Sequence, residues 1–205
     1  MMLRLALLST LAFTSLSAAA CGKDPNADTG LLRTVETPAP SAEQLKQYQA
    51  AAQTFIDAAG QFSHAEIETS KLAVEHAKTA DTKAFAQTLI DDYTKATEAL
   101  TAAAQTAGLA APSATLDEFH IRRVNELTVD KAQGNRNFDA DFAAMQVNAN
   151  RDGVGLLQDY IRDGKIPALK VFAEQTLPKL KEHQEHAEML DKVVRAGTPS
   201  PSTPG

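Results

Sequence analysis

Residues 41–78 read SAEQLKQYQAAAQTFIDAAGQFSHAEIETSKLAVEHAK. Tyr48, Ala52, Phe55, Ala59, Phe62, Glu66 and Ala73 recur along this stretch at steps of three, four or seven, the spacing that lines one face of an α-helix. Gly60 lies inside it and is a candidate bend.

Three more segments carry the same spacing. The second helix takes Asp81 as its N-cap, carries Phe85, Leu89, Tyr93, Ala96 and Leu100, and ends near Gly108. A third covers about 135–163, with Phe138, Phe142, Met145 and Ala149 on one line and Ala143, Val147, Asn150, Val154, Leu157 and Ile161 beside it. The fourth opens at Pro167, a suitable first-turn residue, and carries Leu169, Phe172, Thr176, Leu180, His183, Ala187, Leu190 and Val194. Pro178 is expected to kink it by removing one backbone donor. Short links near Ala80 and Gly164 make two antiparallel hairpins. The connection between the second and third helices, about 109–134, holds its own amphipathic piece with Leu116, Phe119, Ile121, Val124 and Leu127. It is long enough to traverse the bundle, or to dock as an extra helix beside an up-down-up-down arrangement.

Composition agrees with helices. The chain has 205 residues, 43% hydrophobic and 5% aromatic with no Trp, enough for one packed domain, and its alanine-rich character disfavours an all-β fold. The formal charge is −6, from 20 basic and 26 acidic residues, with no dense Lys/Arg block, so nucleic acid is not an expected partner.

The ends carry an address. Residues 1–20 have one positive charge, Arg4, then an apolar run from Leu5 to Leu16, then the small residues Ser17, Ala18, Ala19 and Ala20: a signal peptide, too short in its apolar part to span a bilayer. Cys21, the single cysteine, follows at once, and Leu16 to Gly22 resembles the bacterial lipobox, with Ala18 where Leu is usual. A lone thiol cannot form an internal disulfide, whereas diacylation of Cys21 would anchor the chain stably to a membrane. Gly22 after the cysteine offers no inner-membrane retention signal, so an outer-membrane lipoprotein facing the periplasm is expected; cleavage without lipidation would leave a soluble periplasmic or secreted protein. Residues 21–40 read as a flexible tether with a reach of about 25 Å, 41–196 as the bundle, and 197–205, with Pro199, Pro201 and Pro204, as a disordered tail.

Four polar residues fall on core stripes: Glu66, Tyr93, Asn150 and His183. Glu66 and Tyr93 are evenly placed about the turn near Ala80, and Asn150 and His183 about the turn near Gly164, so all four are expected in one mid-height layer. A hydrogen-bonded network in which the Tyr hydroxyl, Asn amide and imidazole satisfy the carboxylate is the first expectation. The alternative is a transition metal held by Glu66 and His183 with Asp92 and His186, since bundles build metal sites from facing Glu and His. Glu182-His183-Gln184-Glu185-His186 places its histidines three apart and is not a His-Glu-x-x-His motif. His64 and His76 read as surface, His120 has no evident partner, and Asp91, Asp92 and Asp139 read as hydrogen-bonding or capping groups. No phosphate loop, nucleophile motif or dithiol is present, and no cofactor is required by any spacing.

Phe62-Ser63-His64-Ala65-Glu66-Ile67-Glu68, Phe85-Ala86-Gln87, Asp92-Tyr93-Thr94-Lys95-Ala96, Phe138-Asp139, Gln146-Val147-Asn148-Ala149-Asn150 and Phe172 through Leu177-Pro178 to His183 resemble an exported bacterial family. That family has a ferritin-like four-helix domain of unknown function and is often labelled an outer membrane protein. The resemblance covers about residues 45–195. It implies an all-α, ferritin-like four-helix bundle with a long connection between the second and third helices containing a short helix. The family's acid matches Glu66 and its histidine after Leu-Pro matches His183, but Tyr93 and Asn150 stand where the family usually has histidines. If the family's residues form a metal centre, the resemblance implies a lost or degenerate one here.

The expected role is non-enzymatic, in envelope stress or in binding an envelope protein partner. A degenerate metal-binding protein and a periplasmic chaperone are the alternatives, and the chaperone would need a large exposed apolar patch.

Overall fold

The computed structural model describes residues 39–132 and 138–197; the leader over 1–20, Cys21, nearly all of the tether and the tail beyond Gly197 lie outside them. Among the described residues the regular elements are five helices: α1 (Ala42–His76), α2 (Ala80–Thr106), α3 (Glu118–Ala132), α4 (Phe138–Asp163) and α5 (Pro167–Ala196). None is long and apolar enough to cross a membrane.

Each end has a local cause. Ser41 caps α1 in a capping box, its side chain accepting from the Gln44 amide while the Gln44 side chain accepts from the Ser41 amide. Pro167 stands in the first turn of α5, where its missing N–H costs nothing, and Gly197 ends that helix with φ 63°. Helix α5 remains one helix through Pro178. Asp81 is not the cap of α2: Thr79 is, and its hydroxyl accepts from the Thr82 amide at 3.2 Å. The cause is tertiary, because the Asp139 carboxylate at the start of α4 accepts from the Lys78 amide (2.9 Å), the Thr79 amide (3.0 Å) and the Thr79 hydroxyl (2.9 Å) and fixes that corner.

The same bonds determine the topology. They place the start of α4 at the corner where α1 ends and α2 begins. At the other end, the Gln53 side chain exchanges hydrogen bonds with the backbone of Ala110, so α2 finishes beside the early part of α1. The connection must therefore run back the length of the bundle before α4 starts. Helices α2 and α4 are parallel, and Phe85–Phe142 and Tyr93–Asn150 keep one offset of 57 residues. Round the bundle the order is α1, α2, α5, α4, so α2 and α4 face each other diagonally; α3 lies outside, over α1 and α4.

Apolar side chains from all four long helices fill the centre, among them Ile56, Phe85, Leu89, Leu100, Phe142, Leu157 and Leu169. The Phe55 and Tyr160 rings stack at 3.9 Å between centroids. Gly60 lies within the unbroken α1. It is a point of close approach: a Cβ there would lie 2.4 Å from the Cβ of Pro112 in the returning connection. The amphipathic piece of that connection buries less than its pattern implies. Leu127 is fully buried, but Phe119 and Ile121 are 50% and 45% exposed, because a helix laid outside a complete bundle has only one narrow face to cover.

Candidate functional site

Glu66, Tyr93, Asn150 and His183 are all buried, at 0%, 1%, 0% and 3% exposure. Each comes from a different helix, as the spacing about the turns requires. Their bonding differs from a single network closed on the carboxylate.

The Tyr93 hydroxyl donates to Asn150 Oδ1 at 2.7 Å, and Asn150 Nδ2 donates to the Gln146 carbonyl (2.9 Å) and to Gln146 Oε1 (3.1 Å). Burial pushes the Tyr93 phenol well above its ordinary range, and the charge of Glu66 adds to this, so the hydroxyl stays a donor. The Phe62 ring meets Tyr93 edge-on at 5.4 Å and holds it in place.

Glu66 is served instead by the connection. Arg123 of α3 reaches inward until its Nη2 is 3.4 Å from Glu66 Oε1 and 3.5 Å from the Met145 carbonyl oxygen. Burial pushes the Glu66 carboxyl up; the Arg123 charge and the nearby Gln146 amide pull it back, and the net direction is up. Glu66 Oε2, Ser70 Oγ and Gln146 Nε2 are buried without a hydrogen-bond partner.

His183 turns the other way. Its Nε2 lies 3.0 Å from Asp92 Oδ2, and Asp92 Oδ1 lies 3.8 Å from Lys95 Nζ near the surface. A carboxylate only accepts, so Nε2 carries the hydrogen and Nδ1, buried and unpartnered, is the bare nitrogen of the neutral ring. Burial pushes the imidazole below its ordinary range, and Asp92 offsets only part of this. Polar groups thus cross the bundle in order: Arg123, Glu66, Gln146, Asn150, Tyr93, His183 and Asp92.

Of the candidate metal ligands, Asp92 and His183 are brought together, while Glu66 faces a guanidinium and the His186 ring lies on Phe85 at 4.3 Å. Among the described residues no three His, Cys, Asp or Glu side chains stand together as a ligand set. The Arg123 cation beside Glu66 is the wrong partner for a divalent ion, and Asp92 and His183 alone are two ligands, so this donor set does not fit one.

The remaining candidates fall as follows. His64 and His76 are half-buried rather than on the surface, His64 lining a groove of about 280 Å³ beneath the connection and His76 edge-on to Phe138. His120 bonds the Asp117 carboxylate at 2.8 Å, which also caps α3 by accepting from the His120 amide. Asp91 accepts from the Gln87 side chain. Arg123 and Gln146 were not legible from the stripes. Gln146 sits between two apolar lines, and the buried face of α4 centres on it, leaving Met145 and Val147 half-buried at its edges. Arg123 lies four residues before the buried Leu127, a spacing that signals the inner face of α3 once that face is known.

Compared with known families, residues 36–190 match the one described as Domain of unknown function (DUF4142), a span that includes every residue of the polar layer. No curated protein and no solved structure matches the chain.

Proposed function

Because the chain belongs to the DUF4142 family, whose description carries no activity to transfer, we propose from its own residues that it is a lipid-anchored envelope protein with a non-enzymatic role. The bundle is the folded head on a tether from Cys21, facing the periplasm from the outer membrane, and it acts by binding an envelope protein partner. The single crossover between α2 and α4 is the connection that ferritin-like folds use, which supports kinship with them.

One observation carries the non-enzymatic reading. Every titratable group in the core layer is engaged by another protein group: Tyr93 by Asn150, His183 by Asp92, and Glu66 by Arg123. Such an arrangement specifies how the helices pack.

The test is fractionation of the full chain, expressed with its own leader in a bacterium fed a labelled fatty acid. Label in the protein and recovery with the outer membrane, both lost in Cys21→Ser, are the expected results. Unlabelled protein in the soluble fraction would sink the anchor. Metal analysis of the same preparation separates the alternative: near-stoichiometric iron, manganese, zinc or copper that disappears in His183→Ala would favour the metal protein.

A further inference from the structure

Helix α3 differs from the other four in how it is held. It carries its own cap in Asp117 and its own surface pair, Arg122 with Glu118 at 3.2 Å, so it is built to persist as a helix. Among its described side chains only Leu127 is fully buried, and Phe119 and Ile121 stand largely in solvent. It leans on α1 and touches α4 more sparsely. Between α3 and α4 lies an open groove of about 770 Å³, lined by Phe119, Arg122, Leu127, Met145 and Asp152 among others.

Among the described side chains, Arg123 is the polar tie from this helix to the core layer, and it is loose. The Arg123 contacts to Glu66 and to the Met145 carbonyl, at 3.4 and 3.5 Å, exceed the ordinary range for such bonds. Ser70 Oγ, one turn from Glu66 on α1, is buried without a hydrogen-bond partner, and the Gln146 amide that pulls on the Glu66 carboxyl does so from beyond ordinary hydrogen-bond distance. The closed position therefore covers polar groups that other protein groups bond poorly, so closure gains from Leu127 and loses from the layer it covers.

We infer that α3 is a movable strap, latched by the Arg123–Glu66 pair and seated by Leu127, which swings from the α1/α4 face while the four long helices stay packed. Opening widens the existing groove and exposes the inner end of the polar layer around Glu66. The motion is local unlatching of a preformed helix, the kind of sub-global opening that hydrogen exchange resolves.

The test is amide hydrogen exchange of the full chain, read by mass spectrometry, beside Arg123→Lys, which keeps the charge and shortens the reach. The expected result is protection in residues 118–132 lower by about 100-fold or more than in the middle of α1 and α4, falling about a further tenfold in Arg123→Lys with α2 and α5 unchanged. Protection of α3 equal to that of α4 would overturn the strap. Exchange in α3 that Arg123→Lys leaves unmoved, or that rises equally in every helix, would overturn the latch.

Discussion

Tyr93 on α2 donates its phenolic hydrogen to Asn150 Oδ1 on α4 across 2.7 Å, joining two parallel helices that sit diagonally across the bundle. Diagonal helices share little surface, so this bond links elements that the ring of neighbouring contacts does not. It also fixes their register, because a slip of one turn on either helix would separate the two groups.

Tyr93→Phe keeps the ring and removes the donor, leaving a buried amide oxygen unsatisfied. A loss of about 1–3 kcal/mol is expected. Urea denaturation of the purified domain checks it, and an unchanged midpoint would show that the bond contributes nothing net.

The Arg123–Glu66 pair calls for a double-mutant cycle. Removing one partner of a buried pair strands the other, so Arg123→Met is expected to cost about 3 kcal/mol. Glu66→Leu combined with Arg123→Met is expected to recover most of that loss, since the stranded carboxylate is then gone. Additive single effects would contradict the pairing.

Two glycines on α4 should respond oppositely to the same change. A Cβ at Gly155 meets nothing within 4 Å, so Gly155→Ala is expected to stabilise by up to about 1 kcal/mol through helix propensity. At Gly153 the Cβ would lie 2.6 Å from Phe62 Cζ and 3.0 Å from Leu180 Cδ2, so Gly153→Ala is expected to destabilise by about 1–3 kcal/mol despite that propensity. Thermal unfolding of both variants decides it, and the same sign in both would contradict the packing described.

His183 gives a pH dependence with a definite sign. Burial holds its pKa in the folded chain below the ordinary value of about 6.5, so the unfolded chain binds more protons in that window. The stability it contributes is fully present above about pH 6.5 and is lost as pH falls through the lower folded value. The unfolding temperature should drop between pH 7 and 5, and less steeply in His183→Phe. Some slope will remain, because burial depresses His186 in the same direction.

Asp139 acts further down the scale. Partial burial raises its carboxyl, but the amides of Lys78 and Thr79 and the hydroxyls of Thr79 and Thr82 outweigh this, and the net direction is down. Its contribution is present above the unfolded value of about 3.9 and is lost as pH falls below it. Asp139→Ala should cost about 1–3 kcal/mol at neutral pH, because two backbone amides lose their acceptor. A chemical denaturation series from pH 7 to 3 should show the wild-type advantage shrinking at the acid end.

Much of this was legible in one dimension. Helix spacing depends on which residues are apolar and how far apart they are, so the Ser41 start, the Pro167 start and the burial of Glu66, Tyr93, Asn150 and His183 follow from local pattern. The shared layer was an expectation of the same kind, since a short turn forces equal heights on residues equidistant from it. What the pattern could not hold was any relation across the long connection. The parallel course of α2 and α4, Thr79 rather than Asp81 as the cap, the use of Gly60 against Pro112, and Arg123 as the partner of Glu66 all arise where α3 and the start of α4 return to the first hairpin. Local periodicity sets which face of a helix is buried; only the folded path sets what that face meets, since side chains 57 residues apart become neighbours solely through the packing of the helices between them.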